Sequence, residues 1–367
     1  MTDTLQHSAP YAAAATAKKE PFLFLYITHK CQLRCDHCYM GDRLDNEIRM
    51  SPSKVEEILS GLRVLYGQYK VYLLGGEPTT HPELDAILDV CKDQGYKVVI
   101  TSNGLIPAKV WPVMDTRIDS FSFSMDGAQQ KTHEDMRGPN TWRPLLCSME
   151  RAIEDGFQTR AIFTVTTANR GDVFDAIDLA DRAGLEMLSF HYFTPTGLGH
   201  DKPHLQIPPA EWMELCQDIR RHAASRNVRV FYPPAFATPA QLPEISGQGY
   251  GGCTARNLER LAIFPDGRVY ICSAFFDTDL YYGTWRDGAI VPRLHKGKSE
   301  LTLVSKTAPG CRSCSHASVC GGGCAAYDHL QRTLISTECD QQTVPICPLW
   351  SMPAEPANTA HRLVDLR

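Results

Sequence analysis

The sequence predicts an α/β fold, a partial (β/α)6 barrel followed by a small cysteine-rich domain. Three observations point to it. From Phe22 to Phe231, short apolar, β-branched runs alternate with stretches of helical period. The alternation stops near Tyr232, where Pro, Gly and Ala accumulate without a clear period. Beyond that point cysteines crowd residues 311–347.

The expected strands are Phe22–Ile27, Lys70–Leu74, Lys97–Thr101, Ser120–Ser124, Arg160–Thr166 and Met187–Phe193. Between and after them lie helical patterns at Pro52–Tyr66, Pro82–Gln94, Trp142–Asp155, Asp172–Ala183 and Pro209–Arg226. Ser51 reads as an N-cap with Pro52 at the first helical position. Strand–helix alternation implies a parallel sheet with right-handed crossovers. A sheet covered on both faces explains a strand as apolar as Val98-Val99-Ile100. Ligands of such a sheet gather at the carboxyl ends of its strands.

The expected organisation is a mobile segment over 1–20, the barrel over 21–232, a linker over 233–252, the cysteine-rich domain over 253–351 and a tail over 352–367. Arg260–Phe264 and Arg268–Ile271 flank Pro265-Asp266-Gly267, whose residues favour a tight turn, so a β-hairpin is expected there.

Composition excludes several classes. Hydrophobic residues at 43% and charged residues at 22% suit a globular chain with a core. A net charge of −5 without a basic block argues against nucleic acid. No apolar run approaches the roughly 20 residues that span a bilayer. The Ala12–Ala15 stretch lacks the basic start of a signal peptide, so a cytoplasmic protein is expected. Fourteen cysteines would suggest disulfides in a secreted chain. Here most fall into two groups with metal-ligand spacing. Cys91, Cys147 and Cys216 lie outside both and read as small buried hydrophobes.

The first group, Cys31-x3-Cys35-x2-Cys38, follows the first strand. Three thiolates on a short loop suit three irons of a cubane cluster and leave the fourth iron open. Structural zinc is the alternative, but it asks for four ligands. His37, between two cysteines, is badly placed to be the fourth.

The run Cys31-Gln-Leu-Arg-Cys35-Asp-His-Cys38-Tyr39 resembles the signature of the radical S-adenosylmethionine (SAM) superfamily, and the resemblance extends over residues 22–231. It implies a 4Fe–4S cluster on Cys31, Cys35 and Cys38 that cleaves SAM reductively to a 5′-deoxyadenosyl radical. Gly75-Gly76-Glu77-Pro78 resembles the motif that meets the SAM amino group. Glycines would let the backbone approach the ligand, and a carboxylate can neutralise an ammonium. By the same resemblance Ser124 contacts the ribose, Arg137 pairs with the SAM carboxylate through its guanidinium fork, and the His37 backbone lies beside the adenine. Ser102 and Asn103, in Thr101-Ser102-Asn103-Gly104, stand as ligand contacts or as turn formers.

The second group is Cys253, Gly267, Cys272, Cys311, Cys314, Cys320, Cys324, Cys339 and Cys347. Its spacing resembles the SPASM extension, which carries two auxiliary 4Fe–4S clusters. The resemblance implies three clusters in all. Cys253, Cys272 and Cys324 would hold auxiliary cluster I, and Cys311, Cys314, Cys320 and Cys347 auxiliary cluster II. Three roles stay open for Cys339: replacing Cys347, completing cluster I, or ligating nothing.

Relatives of this kind commonly modify peptides. The resemblance therefore implies an oxidoreductase that installs a net oxidative change, such as a cross-link, thioether or dehydrogenation, in a ribosomally made peptide. A flavodoxin or ferredoxin would donate electrons. The segment before the first strand is too short for a leader-binding domain, so a separate leader-binding protein or direct recognition by the barrel is expected. Sulfatase-maturing relatives carry an Asp where this chain has Ser273, which argues against that activity. Two alternatives stand beside the peptide: oxidation or epimerisation of a small molecule such as an aminoglycoside or sugar, and a non-enzymatic electron carrier. Asp126, Tyr192 and Ser273 are the candidate catalytic residues, with His191 and Thr194 also expected to face the cavity.

Overall fold

A computed structural model describes residues 21–67, 69–233, 253–255, 259–276, 278–293, 300, 324 and 326. The expected linker, the tail, and Cys311, Cys314, Cys320, Cys339 and Cys347 lie outside the described residues.

Seven strands run in chain order through the first part: β1 (Phe22–Thr28), β2 (Lys70–Gly75), β3 (Val98–Ser102), β4 (Ser120–Ser124), β5 (Gln158–Val165), β6 (Met187–Tyr192) and β7 (Arg229–Phe231). All are parallel to their neighbours. Six helices connect them or follow: α1 (Pro52–Tyr66), α2 (Leu84–Asp93), α3 (Gln130–Arg137), α4 (Trp142–Glu154), α5 (Val173–Arg182) and α6 (Pro209–Ala223). The Ser51 hydroxyl accepts the backbone N–H of Lys54 at 3.2 Å, so the expected cap forms. In this first part of the chain β7 and α3 go beyond the expected elements.

Register gives the sheet two unlike faces. Leu23, Leu25, Val71, Leu73, Val98, Ile100, Phe121, Phe123, Phe163 and Phe190 point to the helix layer and are fully buried. Residues in register on the other face include Phe24, Tyr72, Thr101, Ser122, Ile162, Thr164 and His191. They are smaller or more polar toward β4–β6. That face is the inside of the curved sheet.

The cysteine-rich segment does not begin as a separate layer. β8 (Arg260–Ile263) pairs parallel with β1, with Phe22 opposite Arg260. β9 (Arg268–Tyr270) folds back on β8, as the Pro265-Asp266-Gly267 turn predicts. β10 (Gly283–Arg286) and β11 (Ala289–Pro292) add a second hairpin, with Asp287 and Gly288 both at positive φ. One sheet of eleven strands results, ordered β11-β10-β9-β8-β1-β2-β3-β4-β5-β6-β7.

The second hairpin is seated on α1. Glu57 Oε1 accepts from Trp285 Nε1 at 2.8 Å and from the Gly288 N–H at 3.3 Å. Gly61, mid-helix, makes room: a Cβ there would lie 2.6 Å from the Gly288 carbonyl oxygen and 2.8 Å from the Trp285 ring. Alanine in a helix interior normally gains about 1 kcal/mol over glycine. Overpacking against backbone costs roughly 1–3 kcal/mol. Gly61→Ala is therefore expected to lower the urea midpoint; a raised midpoint would show that the hairpin does not sit on this helix.

Candidate cluster and cofactor site

The loop that carries Cys31, Cys35 and Cys38 leaves β1 and is gripped from three sides. Its stem, Thr28–Lys30, lies against the end of β2. The Gly76 N–H donates to the Thr28 carbonyl at 2.9 Å, and the Glu77 N–H to that of Lys30 at 2.8 Å. A Cβ on Gly75 would stand 2.3 Å from the Thr28 oxygen, and one on Gly76 2.4 Å from that of Lys30. The close approach these glycines permit is thus to the chain's own backbone, not to open space. Pro78, buried, starts the short turn that follows.

Glu77 is fully buried. Its carboxylate accepts from the Thr79 N–H (3.2 Å), the Thr79 hydroxyl (2.7 Å), the Ser102 hydroxyl (3.0 Å) and the Asn103 N–H (2.8 Å). A carboxylate offers about four lone-pair sites; in Glu77 Oε1 meets three of these donors and Oε2 one, which leaves Oε2 a free lone pair. The side chain binds the end of β2 to the end of β3. Asn103 then reaches back to the cysteines, its Nδ2 3.8 Å from Cys31 Sγ.

On the other side stands Asp126, just past β4, with no exposed surface. Its Oδ2 accepts from Arg137 Nε at 2.5 Å and lies 3.1 Å from His37 Nε2, while Oδ1 accepts the Thr164 N–H at 2.6 Å. Burial by itself raises a carboxyl, but Arg137 and His37 hold Asp126 well below the usual carboxylate range. A carboxylate so paired braces the cysteine loop against α3 and β5. Arg137 also reaches Cys35 Sγ with Nη1 at 3.8 Å. Its Nε is taken by Asp126, and its Nη1 faces the cysteine-loop side of the pair. The His37 imidazole, for which the sequence suggested no role, is half of this brace.

The third grip comes from the loop after β6. The Leu198 N–H donates to the Cys38 carbonyl at 2.8 Å, and Lys202 pairs with Asp36. Tyr192 is no part of the cavity. It faces the helix layer, packs edge-on against Trp212 of α6 and donates its hydroxyl to the Ile207 carbonyl at 2.7 Å. Its neighbour His191 points inside and is the exposed residue of its strand. Ser124 ends β4 half-buried on the inner face. Ser273 follows Cys272 at the start of a short turn, also half-buried. Cys272 and Cys324, far apart in sequence, come close enough for a thiolate charge on Cys324 to push the Cys272 thiol up, behind the larger effect of burial.

The three thiols fit a metal cluster. None is in a disulfide. Burial pushes Cys31 up to about 11 and Cys38 up to about 12, so bare thiols here keep their protons at neutral pH. A bound cation removes such protons outright. Among the described residues no three His, Cys, Asp or Glu side chains converge tightly enough for a single ion, whereas a cubane takes one thiolate per iron. Two buried polar atoms nearby lack partners among the described residues, His37 Nδ1 and Thr101 Oγ1.

The brace generates a stability prediction. Removing one partner of a buried ion pair costs about 3–5 kcal/mol. Asp126→Asn should lose about that much in urea denaturation, and adding Arg137→Met should restore part of it. The folded carboxyl titrates below its unfolded value near 4. The stabilisation is therefore present above that pH and fades as acid approaches the folded value. Equal stability of Asp126→Asn and the parent chain at neutral pH would contradict the pairing.

Comparison with known proteins agrees with this geometry. Residues 25–180 match the Radical SAM superfamily. The AdoMet-dependent heme synthase of Methanosarcina barkeri is 23% identical over 325 residues, covering 79% of this chain and 90% of that one. Mycofactocin maturase MftC of Mycobacterium ulcerans is 26% identical over 323 residues, covering 82% and 81% respectively. Streptococcus suis SuiB, solved bound to S-adenosylmethionine, shares the fold, with a TM-score of 0.64 at 19% identity over 84% of this chain and 73% of SuiB. The stretch from residue 25 to residue 180, with its cysteine loop and the strand ends around it, is a radical SAM domain.

Proposed function

We propose that this protein is a radical SAM enzyme that makes a net oxidative change in a peptide. The single observation that carries the radical part is the cysteine loop, pinned by the ends of β2, β3 and β4 at the carboxyl edge of the sheet inside the matched domain. Cys31, Cys35 and Cys38 would hold the 4Fe–4S cluster. When bound, that cluster supplies the electron that splits SAM into methionine and a 5′-deoxyadenosyl radical. The chain's own residues position and shield. Asn103 and Arg137 direct donors at the cysteine sulfurs, which tunes the site. Thr101 and Ser124 at the strand ends supply hydroxyls toward a bound nucleoside. The aromatic wall of Tyr26, Tyr39, Phe264 and Phe276 keeps water from one flank.

The peptide part is supported by the maturase among the relatives and by the fold shared with SuiB, which has also been solved with its precursor peptide SuiA. Two auxiliary clusters on the second cysteine group, a flavodoxin- or ferredoxin-type donor and a leader-binding partner belong to the same proposal. The heme synthase relative favours a second reading, a small-molecule substrate.

Anaerobic reconstitution with iron and sulfide, followed by SAM and dithionite, tests both. The reconstituted chain should release 5′-deoxyadenosine, and the Cys31→Ala/Cys35→Ala/Cys38→Ala variant should release only background. Short peptides encoded beside the gene should lose hydrogens by mass spectrometry. A chain with its full iron load that releases no deoxyadenosine would refute the radical reading. Deoxyadenosine release with unchanged peptides, and turnover of a sugar or tetrapyrrole instead, would select the small molecule.

A further inference from the structure

The inside of the curved sheet holds a cation that nothing among the described residues neutralises. Arg260 opens β8 and shares its register with Phe22, so its side chain lies on the inner face with Phe24 and Tyr72. Its guanidinium carbon sits 4.5 Å from the centre of the Phe24 ring and 5.9 Å from that of Phe276. Its Nε is buried and, among the described residues, has no hydrogen-bond partner. No ion pair within the described residues reaches it.

Its position is fixed by what feels its charge. Five strands, β1 to β5, separate β8 from β6 in the sheet. Yet the Arg260 charge acts on His191 of β6, and also on Tyr26, Tyr39, Cys272 and Glu300. Residues on β8 and β6 can meet only across the hollow of the sheet. Arg260 therefore faces the hollow from the β8 side, opposite His191. The acids nearby are already used. Glu300 accepts the N–H groups of Ile271 (2.9 Å) and Cys272 (2.6 Å), and Asp126 is held by Arg137 and His37.

A part-buried guanidinium on aromatic faces, with donors to spare, is a receptor for a planar anion. We infer that Arg260 anchors a carboxylate of the substrate, with Phe24, Tyr72 and Phe276 packing the apolar body that bears it. This rests on the proposed function for its context and narrows the substrate class to one with a carboxylate beside an aromatic or aliphatic group. In a peptide, that carboxylate is a free C-terminus or an acidic side chain.

The test uses the reconstituted full chain and ligand-observed NMR with three probes. N-acetylphenylalanine carries a terminal carboxylate, its amide carries none, and N-acetylglutamate α-amide carries a side-chain one. At least one acid should bind about tenfold or more tightly than the amide, the range of a charge-assisted pair. Whichever acid wins identifies the source. Arg260→Gln should abolish the preference, and Arg260→Lys should keep part of it. Phenylglyoxal mapping on the unaltered chain guards against a misfolded variant: the preferred acid should slow Arg260 modification, and the amide should not. Equal binding of acids and amide, no binding of either, or a preference that survives Arg260→Gln would overturn the anchor. So would displacement of the acid by saturating SAM, which would assign the guanidinium to the nucleotide. A shifted cluster potential in Arg260→Gln with acid binding unchanged would assign it to the neighbouring cluster. These outcomes leave deoxyadenosine release untouched, so they are distinct from failure of the radical reading.

Discussion

The backbone of Thr28–Lys30 rests on Gly75 and Gly76 so closely that no side chain fits between them. Everything at the carboxyl edge of the sheet follows from that crossing. It fixes where β1 ends and therefore where the cysteine loop starts. Two main-chain hydrogen bonds lock it, and Glu77 extends it to β3 through buried contacts with Ser102 and Asn103. A buried carboxylate is costly unless every lone pair finds a donor. Glu77 gathers four donors from the ends of β2 and β3, and the result is a rigid platform under Cys31.

The opposite flank is built differently, from charge. Asp126, Arg137 and His37 form a buried group in which one carboxylate serves two cationic or potentially cationic partners. Such a group stabilises little by itself, because desolvation offsets most of the attraction. Its value is geometric. Arg137 ends α3 and His37 sits between two cysteines, so the pair fixes the angle between that helix and the loop. The short bond from the Thr164 N–H adds β5 to the same anchor. Three elements distant in sequence are thereby held against one turn of chain.

How much of this the sequence carried depends on the period of the pattern. The parallel strands and most helices stand close to their expected bounds, because their apolar residues repeat at 2.0 or near 3.6. The polar α3, Gln130–Arg137, hid because it buries only His133, Met136 and Arg137. Its packing comes from ion pairs that a hydropathy pattern does not register. The β10–β11 hairpin did carry a signal, Asp287-Gly288, that went unused. Tyr192 and His191 cannot both enter the cavity, because adjacent residues on a strand face opposite sides. Alternation alone separates them. Glu77 and Asp126 illustrate a harder limit. A motif names residues that converge, and only coordinates show which of the chain's own donors each carboxylate meets.

The pairing of β8 with β1 carries the last consequence. Cys31 and Cys272 belong to groups that the sequence separates by a linker, but their loops leave the same sheet from elements joined by hydrogen bonds. Tyr26 stacks on Phe264 at 4.0 Å between ring centres, and Phe276 and Tyr39 close around them. Close-packed aromatic interiors of this kind transmit displacement rather than absorb it. Cys31 and Cys272 therefore hang from one frame, with Arg260 and His191 facing each other across the hollow between the sheet's limbs. Positioning to within a fraction of an ångström is the part of radical chemistry a protein must supply, and a shared sheet supplies it without a hinge.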